Sequence, residues 1–398
     1  MKRKIRVDLK KNRSKPARDK TWTRGFEEHN FAEESTHHGE RVRTKGELSR
    51  KRTILQDSAQ LTTDSTTAGE LPAVDKDACF PGRVLRIHGL FSVVETDDGH
   101  QVGCTVRRLL KTLATDARNV VAAGDRVWIR LGEGEQFPDS SEPVQTSARA
   151  QNPSELPFHG VIYRIENRHG VLKRSVRGKE HVLVANLDQV IFVVSVVEPE
   201  LKVHLVDRYL AAANASGIPT VVCLNKIDLA DAGKYQRMVG GLERLGVEVL
   251  LTSAKSNLGI HRLTELVQGK ISAVSGQSGV GKSSLLNAIE PGLGLKVREV
   301  SEVNAKGKHT TTANDLIRLK KGGWVADTPG MRQFDIWQTT AGELEGLFTD
   351  FRPFVPLCAF PDCTHTHETR CAVRGAVDRR LIHASRYHSY LGLLEGRE

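Results

Sequence analysis

Gly276-Gln277-Ser278-Gly279-Val280-Gly281-Lys282-Ser283 decides the fold of this chain. The run fits G-x-x-x-x-G-K-[ST], a loop whose glycines let the backbone curl until its N–H groups face a phosphate chain. Lys282 is placed to reach the β- and γ-phosphates. The Ser283 hydroxyl is placed to ligate Mg²⁺, and Ser284 continues into a helix whose N-terminal dipole favours anions. The context agrees: Ile271–Ser275 before the loop is strand-like, and Lys282–Ile289 after it reads as a helix that stops before Pro291.

Outward from that loop, over residues 180–340, buried-type strands alternate with helical segments. Val190–Val197, Thr220–Leu224, Val247–Thr252 and Trp324–Ala326 read as strands; Val203–Ser216, Tyr235–Leu245 and Gly259–Val267 read as helices. This alternation predicts a parallel sheet with helices on both faces. Ligands then sit at the carboxyl ends of the strands, and the other motifs fall there. Asn225-Lys226-Ile227-Asp228 follows Thr220–Leu224. A carboxylate at Asp228 accepts from guanine N1–H and the exocyclic N2 amine, whereas adenine leaves it desolvated and unpaired. Lys226 can pack its stem over the base, and Ser253-Ala254-Lys255 can offer a backbone N–H to guanine O6. Asp327-Thr328-Pro329-Gly330 follows Trp324–Ala326, with Asp327 expected to hold Mg²⁺ through water and Gly330 N–H to sense the γ-phosphate. Between the two lies Gly307-Lys308-His309-Thr310-Thr311-Thr312, where one of the threonines, with Thr311 and Thr312 as candidates, is expected to ligate Mg²⁺.

The order of these motifs is unusual. Ordinary GTPases run phosphate loop, switch threonine, D-x-x-G, N-K-x-D, S-A-K. Here N-K-x-D and S-A-K come first, so the expected domain is circularly permuted.

Composition bounds the rest. The 398 residues are 39% hydrophobic and 27% charged, ordinary for a globular protein, and suggest two to four domains. The net charge is +10, and residues 1–60, with 17 Lys/Arg against 9 Asp/Glu, carry +8 of it. Residues 1–75 are therefore read as a basic, disordered arm with an anionic partner. No apolar run approaches the roughly 20 residues of a membrane span, and the basic start has no apolar stretch after it to make a signal peptide. The expectation is a cytoplasmic protein, monomeric and without membrane contact. Residues 76–175 show short β-type runs at Gly82–His88, Leu90–Glu95, Gln101–Thr105, Arg126–Leu131 and Val161–Glu166, which predict a five-stranded OB-type barrel. Cys358-x₄-Cys363-x-His365-x₅-Cys371, with His367 as a spare imidazole, reads as a closed Cys₃His structural zinc site. Residues 341–398 are too few for an adequate core, so the metal is expected to hold them. The tail beyond carries Arg374, Arg379, Arg380, Arg386 and His388, either as a solvated face or as an RNA contact.

Over residues 80–398 the chain resembles the circularly permuted, ribosome-small-subunit-dependent GTPase family known as RsgA or YjeQ. The resemblance rests on Gly124-Asp125-Arg126-Val127, Ala185-Asn186-Leu187-Asp188-Gln189-Val190, the permuted motifs and the Cys/His cluster. It implies a factor that hydrolyses GTP in late maturation of the small (30S) ribosomal subunit, binds rRNA and is stimulated by the ribosome. It points to His365 rather than His367 as the imidazole ligand. It also points to His309 as the group that positions the attacking water, because Met331 stands where Ras-like enzymes have glutamine. Two other readings stay open: a permuted GTPase of large-subunit assembly, and an RNA-binding module regulated by nucleotide. The expected architecture is an OB-type barrel (76–175), a circularly permuted P-loop GTPase domain (176–340) and a zinc-binding helical domain (341–398).

Overall fold

A computed structural model describes residues 2–8, 51–57, 74–108, 110, 120–132, 134–137, 156–176, 179–295, 315–327 and 341–396. Contacts divide the chain into residues 1–75 and 76–398. In the first unit, β1 (Lys2–Asp8) and β2 (Lys51–Asp57) pair antiparallel, Ile5 opposite Ile54. No helix among the described residues is long and apolar enough to cross a membrane.

The second unit opens with β3 (Phe80–His88), β4 (Phe91–Thr96), β5 (Gln101–Val106), β6 (Arg126–Leu131) and β7 (Phe158–Ile165). They close a barrel in the order β3-β4-β5-β7-β6, with β6 returning to β3 and β5 parallel to β7. That is the five-stranded OB arrangement expected from the sequence. Val84, Val94, Val102, Cys104, Val127, Ile129 and Ile162 fill its interior. A hairpin not anticipated from the sequence, β8 (Leu172–Val176) and β9 (Lys179–Val184), follows the barrel.

The larger sheet contains β10 (Gln189–Ser195), β11 (Thr220–Asn225), β12 (Glu248–Leu251), β13 (Ile271–Ser275), β14 (Asp315–Arg318) and β15 (Trp324–Asp327). Its order is β12-β11-β10-β13-β15-β14, parallel except for β14. The predicted parallel sheet is thus present, with an antiparallel edge strand added; such edges are common on doubly wound sheets. The helices are α1 (Val203–Ala215), α2 (Gln236–Arg244), α3 (Ile260–Val267) and α4 (Lys282–Ile289). Alternation along the strands sorts them onto two faces. Val190, Phe192, Val194, Val222 and Leu224 pack with α1 and with Leu242 of α2, while Ile191, Val193, Val221 and Cys223 pack with Leu263 of α3 and Leu285 of α4.

The barrel joins this sheet through the two segments singled out in the sequence. Gly124 has φ +90°, and a Cβ on it would lie 2.1 Å from Ala185 O, so only glycine allows the backbones to meet. Asn186 Nδ2 donates to Gly124 O at 3.0 Å. Asp125 is fully buried and takes a fork of two 2.7 Å bonds from Arg168. Asp188 accepts from Ile271 N at 2.7 Å, and Gln189 Nε2 donates to Leu266 O at 2.7 Å, which fixes the start of β10.

The C-terminal part comprises α5 (Ala341–Leu347), α6 (Ala372–Asp378) and α7 (Ala384–Leu394) around Phe348, Phe351 and Tyr390. Helix α7 packs on α1. Arg386 is the pivot, and it corrects the reading of the tail as one basic surface: it is 8% exposed. Its Nη1 donates to Asp207 of α1 at 2.7 Å and its Nη2 to Asp350 at 2.8 Å, with the guanidinium 4.7 Å above the Phe348 ring. A buried guanidinium needs such partners, and charge alone in a sequence does not reveal them. Arg374, Arg379, Arg380 and His388 are exposed.

Candidate nucleotide site and metal centre

The loop Gly276–Gly281 leaves the carboxyl end of β13, and α4 begins at Lys282. Gly281 has φ +94°, and a Cβ there would stand 2.3 Å from Nδ2 of Asn225. That amide spans the site. Asn225 Nδ2 donates to Val280 O at 2.8 Å, and its Oδ1 accepts from Thr252 Oγ1 at 3.3 Å. Asn225 is 2% exposed, so it binds the phosphate loop, β11 and the turn after β12 into one piece. Val280 is buried in the core under the loop; Gln277, Gly279, Ser283 and Ser284 are half-buried and Ser278 is exposed. The ammonium of Lys282 lies on the loop's own carbonyls, 2.7 Å from Gly276 O and 2.6 Å from Gln277 O.

The residues read from the sequence as the guanine side occupy two adjacent turns. Lys226 adopts the left-handed conformation at φ +63° and donates from Nζ to Glu198 O at 2.6 Å. Ile227 is buried as an anchor, while Asp228 beside it is exposed. Ser253 is buried; its N–H donates to Leu258 O at 3.0 Å and its Oγ accepts from Ser256 N at 3.1 Å. This turn leaves Ala254 half-buried and Lys255 exposed.

Strand register places Asp327, the residue expected from the sequence to hold Mg²⁺ through water. Asp327, the last residue of β15, is opposite Val274 of β13 and Asp315 of β14, which sets it beside the start of the phosphate loop. His309, Thr310, Thr311, Thr312 and Gly330 lie outside the described residues.

The second cluster could hold a metal ion. One ligand atom from each of Cys358, Cys363, His365 and Cys371 lies within 4.8 Å of the others. His365 is fully buried and turns Nδ1 toward the sulfurs, 3.6 Å from Cys358 Sγ and 3.4 Å from Cys371 Sγ. Its Nε2 meets Glu345 Oε2 of α5 at 2.7 Å. A carboxylate on the far nitrogen fixes the ring and raises its basicity as a ligand. Burial pushes the Cys363 thiol up to about 12 and the Cys371 thiol up as well, so a bound cation would be needed to hold these sulfurs as thiolates. The four donors fit a metal ion. His367 is exposed and not in the cluster.

The sequence did not flag Glu345, nor Tyr387 and Tyr390, whose hydroxyls donate to His365 O at 2.6 Å and Thr364 O at 3.0 Å. The two tyrosines lie three residues apart on α7, the spacing of one helix face. That spacing was the available signal; Glu345 had none.

Comparisons with known proteins point to one family. A family model described as RsgA GTPase matches residues 165–337. The small ribosomal subunit biogenesis GTPase RsgA of Chlorobaculum parvum is 39% identical over 322 residues, covering 79% of this chain and 97% of its own length. Small ribosomal subunit biogenesis GTPase RsgA 2 of Bacteroides thetaiotaomicron is 34% identical, covering 80% of this chain and 97% of its own. Among solved structures, YjeQ from Thermotoga maritima superposes with a TM-score of 0.60 at 33% identity, covering 80% of this chain and 100% of its own. YloQ, described as a circularly permuted GTPase, superposes with a TM-score of 0.58 at 25% identity, covering 81% and 97%.

Proposed function

Because this chain belongs to the RsgA GTPase family, we propose that it hydrolyses GTP to GDP and phosphate in the maturation of the small ribosomal subunit, in the cytoplasm, and that the subunit stimulates turnover. The observation that carries this reading is the gathering of the guanine and phosphate motifs at one end of one sheet, with Asn225 bonded to Val280 O at 2.8 Å. The reading gives Asp228 the guanine N1–H and N2 donors. The Ser253–Lys255 turn takes O6, and the N–H groups of Gly276–Lys282 take the phosphates. Lys282 exchanges its two loop carbonyls for phosphate oxygens. Ser283, Asp327 and one of Thr311 and Thr312 would hold Mg²⁺, which neutralises charge developing on the phosphates. Gly330 senses the γ-phosphate. His309 orients the attacking water on the ribosome, so turnover without the subunit is expected to be slow.

The Cys₃His centre is assigned to Zn²⁺ in a structural role, since four protein donors leave no position for a water nucleophile. The barrel and the exposed Arg374, Arg379 and Arg380 are assigned to rRNA. The protein acts as a monomer.

GTP turnover by the purified protein, alone, with small subunits and with large subunits, tests the reading. Stimulation by small subunits alone is expected, and His309→Ala should abolish it. Equal turnover in all three would overturn ribosome-activated catalysis; stimulation by large subunits would transfer the protein to the other assembly line.

A further inference from the structure

The barrel holds both ends of the edge strand that sits next to Asp327. Arg86 of β3 makes a two-bond fork to Asp315, Nε to Oδ1 at 2.7 Å and Nη2 to Oδ2 at 2.6 Å. At the other end of β14, Arg318 donates to Glu95 of β4 at 2.9 Å. Arg83 of β3 lies 4.6 Å over the ring of Trp324, the residue opposite Arg318. Asp315 and Asp327 are direct partners across β14 and β15, and Asp327 in turn is the partner of Val274, two residues before the phosphate loop. Four residues of strand span only about 10 Å, so a shift at Asp315 is delivered to the end of β15.

The same interface is incompletely satisfied. Arg83 Nε and Trp324 Nε1 are buried without a protein hydrogen bond. Burial raises the carboxyl of Glu95, with Arg318 opposing.

We propose that Arg86 is a positioning residue for the Mg²⁺ and γ-phosphate side of the nucleotide site, and that through Asp315 it couples the barrel to the bound nucleotide. The inference rests on the nucleotide site proposed above. Arg86 touches no nucleotide; it sets where the carboxyl end of β15 presents Asp327. GTP uses that end through Mg²⁺ and the γ-phosphate, whereas GDP lacks the γ-phosphate. The coupling therefore falls on the ratio of the two affinities.

The test uses the full-length protein and a fluorescent GTP analogue that is not hydrolysed, against GDP, each with Mg²⁺. Arg86→Ala and Asp315→Asn are expected to lower the affinity for the GTP analogue by about tenfold, within the usual range of coupling between sites. GDP affinity should stay near wild type, while the melting temperature should fall by a similar few degrees in both variants, because each removes the same part-buried two-bond fork. The exchanged pair Arg86→Asp with Asp315→Arg should restore the ratio, and Arg86→Lys, which keeps charge without the fork, should restore it only in part. Equal losses for both nucleotides, an unchanged ratio, or failure of the stably folded exchanged pair to restore the ratio would overturn the coupling. If the wild-type protein binds no guanine nucleotide with Mg²⁺, the site reading falls and the coupling with it. If it binds and Arg86→Ala behaves as wild type, the coupling alone falls.

Discussion

Replacing Asp207 by alanine removes the anion on which the C-terminal part is pinned to α1. Asp207 is 1% exposed and accepts from Arg386 Nη1 at 2.7 Å and from Ser389 Oγ at 2.6 Å. Breaking a fully buried ion pair costs about 3–5 kcal/mol because one charge is left uncompensated. Here Arg386 keeps Asp350 at 2.8 Å and its place over Phe348, and Ser389 keeps the Ser385 carbonyl at 2.9 Å. The loss should therefore fall below that range, near 2–3 kcal/mol, the worth of one or two charge-assisted hydrogen bonds. At about 2–4 °C per kcal/mol the melting temperature should drop by roughly 4–12 °C. The metal centre should report the same loss. Tyr387 and Tyr390 of α7 hold the carbonyls of His365 and Thr364, so opening α7 uncovers the ligands. With 1.4 kcal/mol per tenfold, a 2 kcal/mol loss raises the open population on the order of 30-fold. Metal release to a chromogenic chelator should quicken by a similar factor, and Asp207→Asn should do less harm than Asp207→Ala. A melting temperature unchanged in Asp207→Ala, with wild-type metal release, would refute the view that this cluster holds α7 in place.

Glu345→Gln should weaken metal binding by about 10–100-fold, as loss of a carboxylate behind a ligating imidazole does; chelator competition reads it, and unchanged affinity would remove Glu345 from the site. Gly281→Ala should weaken GTP and GDP alike by at least about tenfold, because its methyl would lie 2.3 Å from Asn225 Nδ2 at a φ of +94°. Equilibrium binding of both nucleotides measures this, and wild-type affinity would mean the loop does not need the observed curl. Removing residues 1–75 deletes the stretch whose first 60 residues carry +8. It should leave GTP turnover in the absence of ribosomes unchanged and flatten the salt dependence of RNA binding; an identical salt slope would show the arm makes no phosphate contacts.

Legibility in the sequence followed how local each constraint is. The phosphate loop, Asn225–Asp228 and Ser253–Lys255 were readable because each occupies a turn whose residue types are dictated within a few positions. The strands β10, β11 and β13 were readable because they are buried on both faces and so are apolar throughout. Strand β14 was not: Asp315-Leu316-Ile317-Arg318 is too short for a period, and its charged ends are explained only by Arg86 and Glu95, more than 200 positions earlier in the chain. The Cys₃His set was legible from spacing, whereas Glu345 was not, because a carboxylate on a short helix carries no mark of what it faces. Arg386 was misread for the same reason. Its partner Asp207 lies on another domain's helix, and a surface arginine and a buried one are spelled alike.

Permutation leaves the site intact because neighbours at the carboxyl ends of a parallel sheet are set by sheet order and not by chain order. In space β11 and β12 lie on one side of β13 and β15 and β14 on the other, as the motifs require. What the rearranged chain changes is which half of the site each attached domain grips. The barrel is bonded to β14 and to Trp324 of β15, on the side proposed to hold Mg²⁺. The C-terminal part is bonded to α1, between β10 and β11, on the side proposed to bind guanine. The two grips share no residue, and effects at sites without shared partners should add independently. Arg86 variants should therefore alter the preference for GTP over GDP while leaving metal retention alone. Asp207 variants should release metal while leaving that preference alone. Were Asp207→Ala to shift the nucleotide preference as Arg86→Ala is expected to, the two domains would act on the sheet as a single body, and the division of the site into two separately held halves would be wrong.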